Sequence, residues 1–138
     1  MELNQGSQDL IFIEVTGFSM WPFLKAGEKL LIKKFSIEDL RVGDIIIYRA
    51  DNQLVCHRLV KRSKTENGHL LFARGDNSSS LPTLVTEQMF LGKIIGIIKN
   101  GQAISLIGIR RRFINRAIVI IAPLVSIGIK ICKIIFEK

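Results

Sequence analysis

The chain has 138 residues, of which 48% are hydrophobic, and a formal net charge of +8. This length suits one domain with a modest core plus an appendage. The charge is uneven: residues 93–138 carry nine Lys or Arg and one acid, Glu137, whereas residues 1–92 carry eleven of each sign. Because aromatic residues do not interleave with the basic ones, this basic region favours a membrane surface over nucleic acid as its partner.

The cysteines and the start of the chain argue against metal-binding, redox and secreted classes of protein. Cys56 and Cys132 lie far apart and form no Cys-x-x-Cys pair, so neither a metal site, a cofactor nor a redox motif is predicted. Residues 1–9 are polar and acidic and lack the basic and apolar regions of a secretory signal. We therefore expect no N-terminal membrane anchor.

The first predicted strand is the alternating apolar run of residues 10–15. Gly17 then allows the backbone to turn, and Pro22 prevents the strand from resuming. Ser19 lies just past the strand end among bulky apolar residues, namely Met20, Trp21, Phe23 and Leu24. A lone serine at such a junction is usually a turn or cap residue, so a nucleophilic role requires a base elsewhere in the chain.

The rest of the body reads as further short strands separated by turn signals. One helical turn is predicted at residues 37–41, with Ser36 as its cap. The turns are indicated by the sequences around Gly43, Asn52, Gly68 and Gly101. The predicted strands are residues 29–35, 45–48, 54–60, 69–73, 90–98 and 104–107. Short strands without a long amphipathic helix predict an all-β body.

Two side chains in this body could assist a serine nucleophile. Alternation along residues 54–60 places His57 on one face of its strand and Arg58 on the other. A histidine is well matched to removing a serine proton near neutral pH, although a half-buried strand histidine bonded to the backbone is the alternative. Asp76 lies in a Gly-Asp-Asn loop, where turn formation is the usual role. His69, at the mouth of a hairpin, is expected to be solvated.

The motifs resemble, in their order along the chain, those of the signal peptidase I family, of the peptidase S24/S26 type. The match spans residues 15–98 and is of the histidine-base type found in the endoplasmic-reticulum and archaeal branch. The segments that carry it are Gly17-Phe18-Ser19-Met20-Trp21-Pro22 with Gly27-Glu28, then Val42 to Tyr48, Val55-Cys56-His57-Arg58-Leu59-Val60, Asn67 to Phe72, and Arg74-Gly75-Asp76-Asn77.

The resemblance implies a serine endopeptidase with a fold of coiled β-sheets shared with the self-cleaving SOS repressors. Ser19 would be the nucleophile, with its own backbone N–H as an oxyanion donor, and His57 the general base. Met20 and Trp21 would shape an apolar substrate groove. Asp76 would hold the loop near the site, and an orienting role toward His57 is left open.

The chain departs from the family pattern in three places. Leu81 and Pro82 occupy the place of an acidic pair, one member of which usually orients the histidine, so the third member is either Asp76 or absent. Loss of such an acid can lower the rate by several orders of magnitude. Glu28 replaces the usual aspartate, and the apolar segment lies after the catalytic motifs rather than before them.

Residues 108–138 are predicted to form a basic, apolar, membrane-associating helical tail behind a peptidase domain at residues 1–107. The uncharged run 117–129 has thirteen residues, short of the ~20 that a spanning helix needs, unless Lys130 and Lys133 snorkel. A small or polar stripe along the tail suits a helix lying in the interface or packed against partner helices, and both arrangements remain open. Positive-inside bias would place residues 110–116, and the catalytic body with them, on the cytoplasmic side.

The sequence therefore predicts a membrane-associated serine endopeptidase that cleaves leader or signal segments of exported or modified peptides by a Ser19–His57 mechanism. Its expected partners are that substrate, a membrane through residues 110–136, and in one reading a membrane partner protein. The missing acidic pair motivates an alternative, a weak or inactive relative that binds leaders as an accessory subunit. A self-cleaving regulator is disfavoured by the lack of a lysine base and of a DNA-binding domain.

Overall fold

The structure is a computed structural model that describes residues 10–107, and β-strands dominate this range. A single 3₁₀ turn, Ile37–Asp39, separates the second strand from the third. The strands are β1 (Ile11–Glu14), β2 (Lys29–Lys33), β3 (Ile45–Ala50), β4 (Gln53–Thr65), β5 (Gly68–Arg74), β6 (Thr83–Val85), β7 (Phe90–Lys99) and β8 (Gln102–Ser105).

All eight strands belong to one sheet in which every pairing is antiparallel. The order is β1-β2-β7-β3-β4-β5-β6, and β8 also pairs with β7. The sheet curls into a half-barrel, which confirms the predicted all-β fold. The predicted helix and membrane tail at residues 108–138 lie outside the described residues. Within residues 10–107, no helix is long and apolar enough to cross a membrane.

Two of the hairpin turns follow from residues that tolerate positive φ. Asp51 and Asn52 join β3 to β4 with φ of 48° and 60°, and Asn100 and Gly101 join β7 to β8 with φ of 51° and 74°. Two successive residues at positive φ match the right-handed twist of the flanking strands, which is why Asn, Asp and Gly are favoured there. These turns fix the register of both hairpins.

Alternation along the central strands buries a different set of apolar side chains on each face of the sheet. In β3, Ile45 and Ile47 join one cluster, whereas Ile46 and Tyr48 join the other. The first cluster also receives Met20 and Leu24 from the segment after β1. Each buried side chain of this size contributes about 1.5–3 kcal/mol. The first cluster thus holds the turn that carries Ser19 against one face of the sheet.

Two features of the sheet differ from the sequence prediction. β4 continues through the charged residues 61–65, which pair with β5 from Lys61↔Phe72 to Thr65↔Gly68. Backbone pairing sustains this stretch, since its side chains are mostly exposed. The strand β6 was not predicted, because three residues after a proline are too few to show alternation. Ser36 precedes the 3₁₀ turn as expected, but its side chain makes no capping hydrogen bond.

Candidate active site

Ser19 lies in the turn between β1 and β2 and is exposed, whereas the residue after it, Met20, is buried in the first cluster. The turn is closed by hydrogen bonds from Trp21 N–H to the Phe18 carbonyl at 3.1 Å and from Leu24 N–H to the Met20 carbonyl at 2.9 Å. Within residues 10–107, neither the backbone N–H nor the hydroxyl of Ser19 donates a hydrogen bond. Both groups are therefore available to a ligand.

The loop of residues 75–77 holds the backbone of Ser19 in place. Asn77 N–H donates to the Ser19 carbonyl at 2.8 Å, and the Asn77 side chain reaches the Phe18 carbonyl at 3.4 Å. Gly75 packs so closely that a Cβ there would lie 2.6 Å from the Ser19 carbonyl oxygen and 2.9 Å from its Cβ. Only glycine fits this contact without displacing the serine.

A buried ion pair anchors this loop to β4. Arg58 Nε and Nη2 donate to the two carboxylate oxygens of Asp76 at 2.8 and 2.6 Å. Nη1 donates to the Gly43 carbonyl at 3.0 Å, and the guanidinium lies 4.8 Å from the centroid of the Phe23 ring. Arg58 is fully buried and Asp76 is 6% exposed. Such charges are tolerated because each is paired and hydrogen-bonded.

Arg58 engages both oxygens of Asp76, and within the described part of the chain Asp76 makes no hydrogen bond to His57. The expected role of Asp76 in holding the loop thus has a structural basis in this ion pair. An orienting contact from Asp76 to His57 is not present. The charge of Asp76 acts on the histidine only from a distance, by raising its pKa.

His57 is half-buried and hydrogen-bonded to Tyr48. Its Nδ1 lies 2.9 Å from the Tyr48 hydroxyl, and the two rings meet edge to face at a centroid distance of 5.9 Å. Burial lowers the pKa of His57 below its ordinary value, and the charge of Asp76 opposes this shift only in part. This shift favours the neutral ring, which is the form that a general base needs.

Ser19 and His57 do not share a hydrogen bond within residues 10–107. The neighbours of His57 in β4 point to the other face, where Arg58 meets Phe23 and Cys56 packs against the first cluster. Ser19 contacts the 75–77 loop through its backbone, whereas the contacts of the His57 ring are with Tyr48. The catalytic pair stays a prediction on this geometry.

A cleft of about 230 Å³ lies beside Ser19, between residues 13–17 and residues 53–56. Met20 is part of its lining, together with Leu54 from the start of β4. Trp21, also expected to shape a groove, lies outside this lining and is 45% exposed. His57 is likewise outside the lining. The cleft therefore reaches Ser19 along β1 and does not extend to the histidine.

Cys56 lines the same cleft but does not qualify as the nucleophile. Burial raises the pKa of its thiol to about 12. A thiolate is the reactive form of cysteine, and at neutral pH this side chain stays protonated. Within residues 10–107, no three His, Cys, Asp or Glu side chains cluster as a metal site would require.

The expectation that His69 is solvated is wrong. Its side chain is only 14% exposed, and its backbone N–H and Nδ1 contact Glu87 Oε1 at 2.8 and 3.2 Å. These hydrogen bonds lower the pKa of Glu87. Glu87 follows the unpredicted strand β6, so this partner of His69 could not be predicted from local patterns. His69 thus has a structural role at the hairpin, away from Ser19.

Tyr48 is a neighbour of His57 that was not predicted from the sequence. The signal was available in part: alternation along β3 places Tyr48 on the same face as Ile46, and Ile46 is the direct partner of His57 in β4. Diagonal neighbours on one face of an antiparallel pair are within reach of long and aromatic side chains. Tyr48 is therefore the side chain of β3 best placed to meet His57.

The curled antiparallel sheet, with an exposed serine fixed by a loop beside a cleft, is consistent with a peptidase domain. Residues 2–98 match the family described as Peptidase S24-like. This match covers more than half of the chain, and the chain belongs to that family. It is accordingly a peptidase, that is, a hydrolase.

Proposed function

We propose that the protein is a serine endopeptidase that removes leader or signal segments, with Ser19 as nucleophile and His57 as general base. The observation that carries this proposal is the environment of Ser19. Its hydroxyl and N–H are unengaged within the described residues, its carbonyl is held by Asn77, and a cleft opens beside it. A side chain that served only to form a turn would be expected to use its hydroxyl within that turn.

The proposed reaction is acyl transfer in two steps. Ser19 Oγ attacks the scissile carbonyl while His57 accepts its proton, and the Ser19 N–H donates to the developing oxyanion. His57 then protonates the leaving amine, and water hydrolyses the acyl-enzyme. The turn that carries Ser19 packs on the first cluster and the His57 ring lies on the side of Tyr48, so the proposed proton transfer requires a rearrangement on substrate binding that brings the ring to Ser19.

The cleft supports an extended peptide as the substrate. Within the described residues β1 pairs only with β2, which leaves one edge of β1 free beside residues 53–56 across the cleft. A peptide could add to that edge through main-chain hydrogen bonds, with alternate side chains entering the cleft. Because Met20 and Leu54 narrow the space next to Ser19, small apolar side chains are preferred at the cleavage site.

A serine-directed phosphonate ester tests the nucleophile directly. The full chain should gain one adduct by intact mass, mapped to Ser19, because neutral His57 would activate the hydroxyl. The His57→Ala variant should label far more slowly, and Ser80→Ala, a change in the exposed part of the next loop, should label normally. Absence of an adduct on Ser19 under conditions that label a reference serine peptidase would overturn the enzymatic proposal.

The alternative of a leader-binding accessory subunit is favoured by one observation. Asp76 is committed to Arg58, and Ser19 lacks a hydrogen bond to His57, so the resting site is not assembled for proton transfer. The same labelling experiment separates the two functions. A chain that binds a leader-bearing peptide but gives no adduct would support the accessory role.

We also propose that residues 110–136 attach the protein to a membrane, on the basis of their basic and apolar sequence. The full chain should co-sediment with vesicles containing anionic lipid and less with neutral vesicles. Replacing the three arginines 110–112 by serine should weaken the interaction and its dependence on salt. A chain that stays in the supernatant with anionic vesicles at low salt would contradict this attachment.

A further inference from the structure

The turn at residues 42–44, directly before β3, is tied to β4 by three hydrogen bonds. Gly43 N–H donates to the Leu59 carbonyl at 2.8 Å, and Leu59 N–H donates to the Asp44 carbonyl at 2.8 Å. The Gly43 carbonyl accepts Nη1 of Arg58 at 3.0 Å. The turn therefore supplies the hydrogen bond that the Arg58 guanidinium makes outside its ion pair with the loop carboxylate.

The carboxylate of Asp44 fixes this turn from its other side. Asp44 is buried, and its Oδ2 accepts Arg41 N–H at 2.9 Å and lies 2.8 Å from Nζ of Lys93 in β7. The Lys93 side chain is only 17% exposed, and its Nζ lies 5.1 Å from the centroid of the Phe35 ring. Within residues 10–107, Lys93 is the only cation that pairs with Asp44. Because a buried charge without a partner is strongly destabilising, the geometry of the turn depends on this lysine.

The ion pair and the serine turn lie on opposite faces of the sheet. Lys93 is the direct partner of Ile46, which is buried in the cluster on the second face. Arg58 is the direct partner of Ile45, which is buried in the first cluster. Directly opposite residues of an antiparallel pair share a face. The turn before β3 is therefore the point at which a contact on the face of Lys93 reaches the guanidinium on the face that carries Ser19.

We propose that Asp44 and Lys93 are positioning residues for Ser19. Their ion pair fixes the turn whose carbonyl holds Arg58. Arg58 in turn anchors the 75–77 loop, and this loop contacts the backbone of the serine. The catalytic meaning of this path of contacts rests on the proposed function. The path itself is a property of the resting protein and can be measured whether or not a substrate is known.

Residue-resolved amide hydrogen exchange in the full chain measures the end of this path, because Asn77 N–H donates to the Ser19 carbonyl. Lys93→Met should raise the exchange rate of the Asn77 amide about fivefold or more, since the loop then opens more often. Lys93→Arg, which keeps the charge, should leave that rate unchanged. Lys33→Met is the matched control and should also leave it unchanged. Lys33 is the direct partner of Lys93 in β2 and lies over the same Phe35 ring, but it makes no ion pair within the described residues.

An Asn77 amide that exchanges at the same rate in Lys93→Met as in the unaltered protein would overturn the inference. An equal rise at the hydrogen-bonded amides of residues 61–65, in the far half of β4, would overturn it as well. The ion pair would then act only through the stability of the whole sheet.

Activity gives a second readout once cleavage of a leader-bearing peptide is measurable. Lys93→Met should lower kcat about threefold to tenfold with KM unchanged, because the serine is less well positioned, and Lys93→Arg should retain the normal kcat. A normal kcat in Lys93→Met would refute the positioning role. If the Asn77 amide responds as expected but no form labels or cleaves, the proposed function fails while the path of contacts stands.

Discussion

Replacing Ser19 by Ala should lower kcat/KM for a leader-bearing peptide by about 10⁴-fold or more, because the proposed mechanism forms the acyl-enzyme on the Ser19 hydroxyl. His57→Ala should have an effect of similar size. Since the proposed mechanism has the two residues act as one unit, the double variant should be hardly worse than either single variant. This lack of additivity is a sharper test than either loss alone.

The kinetic test needs a variant that changes a nearby serine without touching the mechanism. Ser80→Ala lies in the exposed loop before β6 and should cleave at the normal rate.

The pH profile of cleavage provides a second readout of the proposed mechanism. Because the pKa of His57 lies below its ordinary value, activity should persist at slightly acidic pH and fall only when the ring is protonated. Undiminished cleavage by Ser19→Ala or His57→Ala would refute the mechanism.

The second large effect concerns stability. Arg58→Met should destabilise the fold by about 3–5 kcal/mol, because it leaves the buried carboxylate of Asp76 without its partner. Urea unfolding of the full chain measures this difference. Adding Asp76→Leu to Arg58→Met should recover much of the loss, since two apolar residues of similar volume remove the uncompensated charge.

Lys64→Met is the matched control, because it removes a positive charge from an exposed position on the same strand. Its effect should stay within about 0.5 kcal/mol. A loss below about 1 kcal/mol for Arg58→Met would show that the ion pair is not what holds the loop. Even the double variant with restored stability should have reduced activity. It lacks the ion pair that anchors the 75–77 loop, and this loop positions the Ser19 carbonyl.

Strand positions and turns could be predicted because they depend on local patterns. Alternation along β4 correctly separated His57 from Arg58, and Asn100-Gly101 correctly marked a hairpin. These signals lie within a few residues of one another. The all-β fold follows from them, since several short strands with turns between them have few ways to bury their apolar faces.

The partners of the site residues could not be predicted, because they depend on register. Arg58 meets Asp76 only because it pairs with Arg74 across the hairpin, next to a β-bulge in β4. Tyr48 reaches His57 as a diagonal neighbour across the β3–β4 pair. Alternation states which face a side chain occupies, and the pairing of strands decides what it meets there.

The contact between the serine turn and the 75–77 loop also bears on when the site can form. Phe18 and Asn77, which hydrogen-bond across this contact, are 59 positions apart in the chain. During synthesis Ser19, the proposed nucleophile, is therefore made before the strand that carries His57, its proposed base, and long before the loop that contacts it. A nascent chain that stops before residue 75 lacks the loop contact to the Ser19 turn, and the proposed catalytic centre can form only after most of the sheet has been translated and folded.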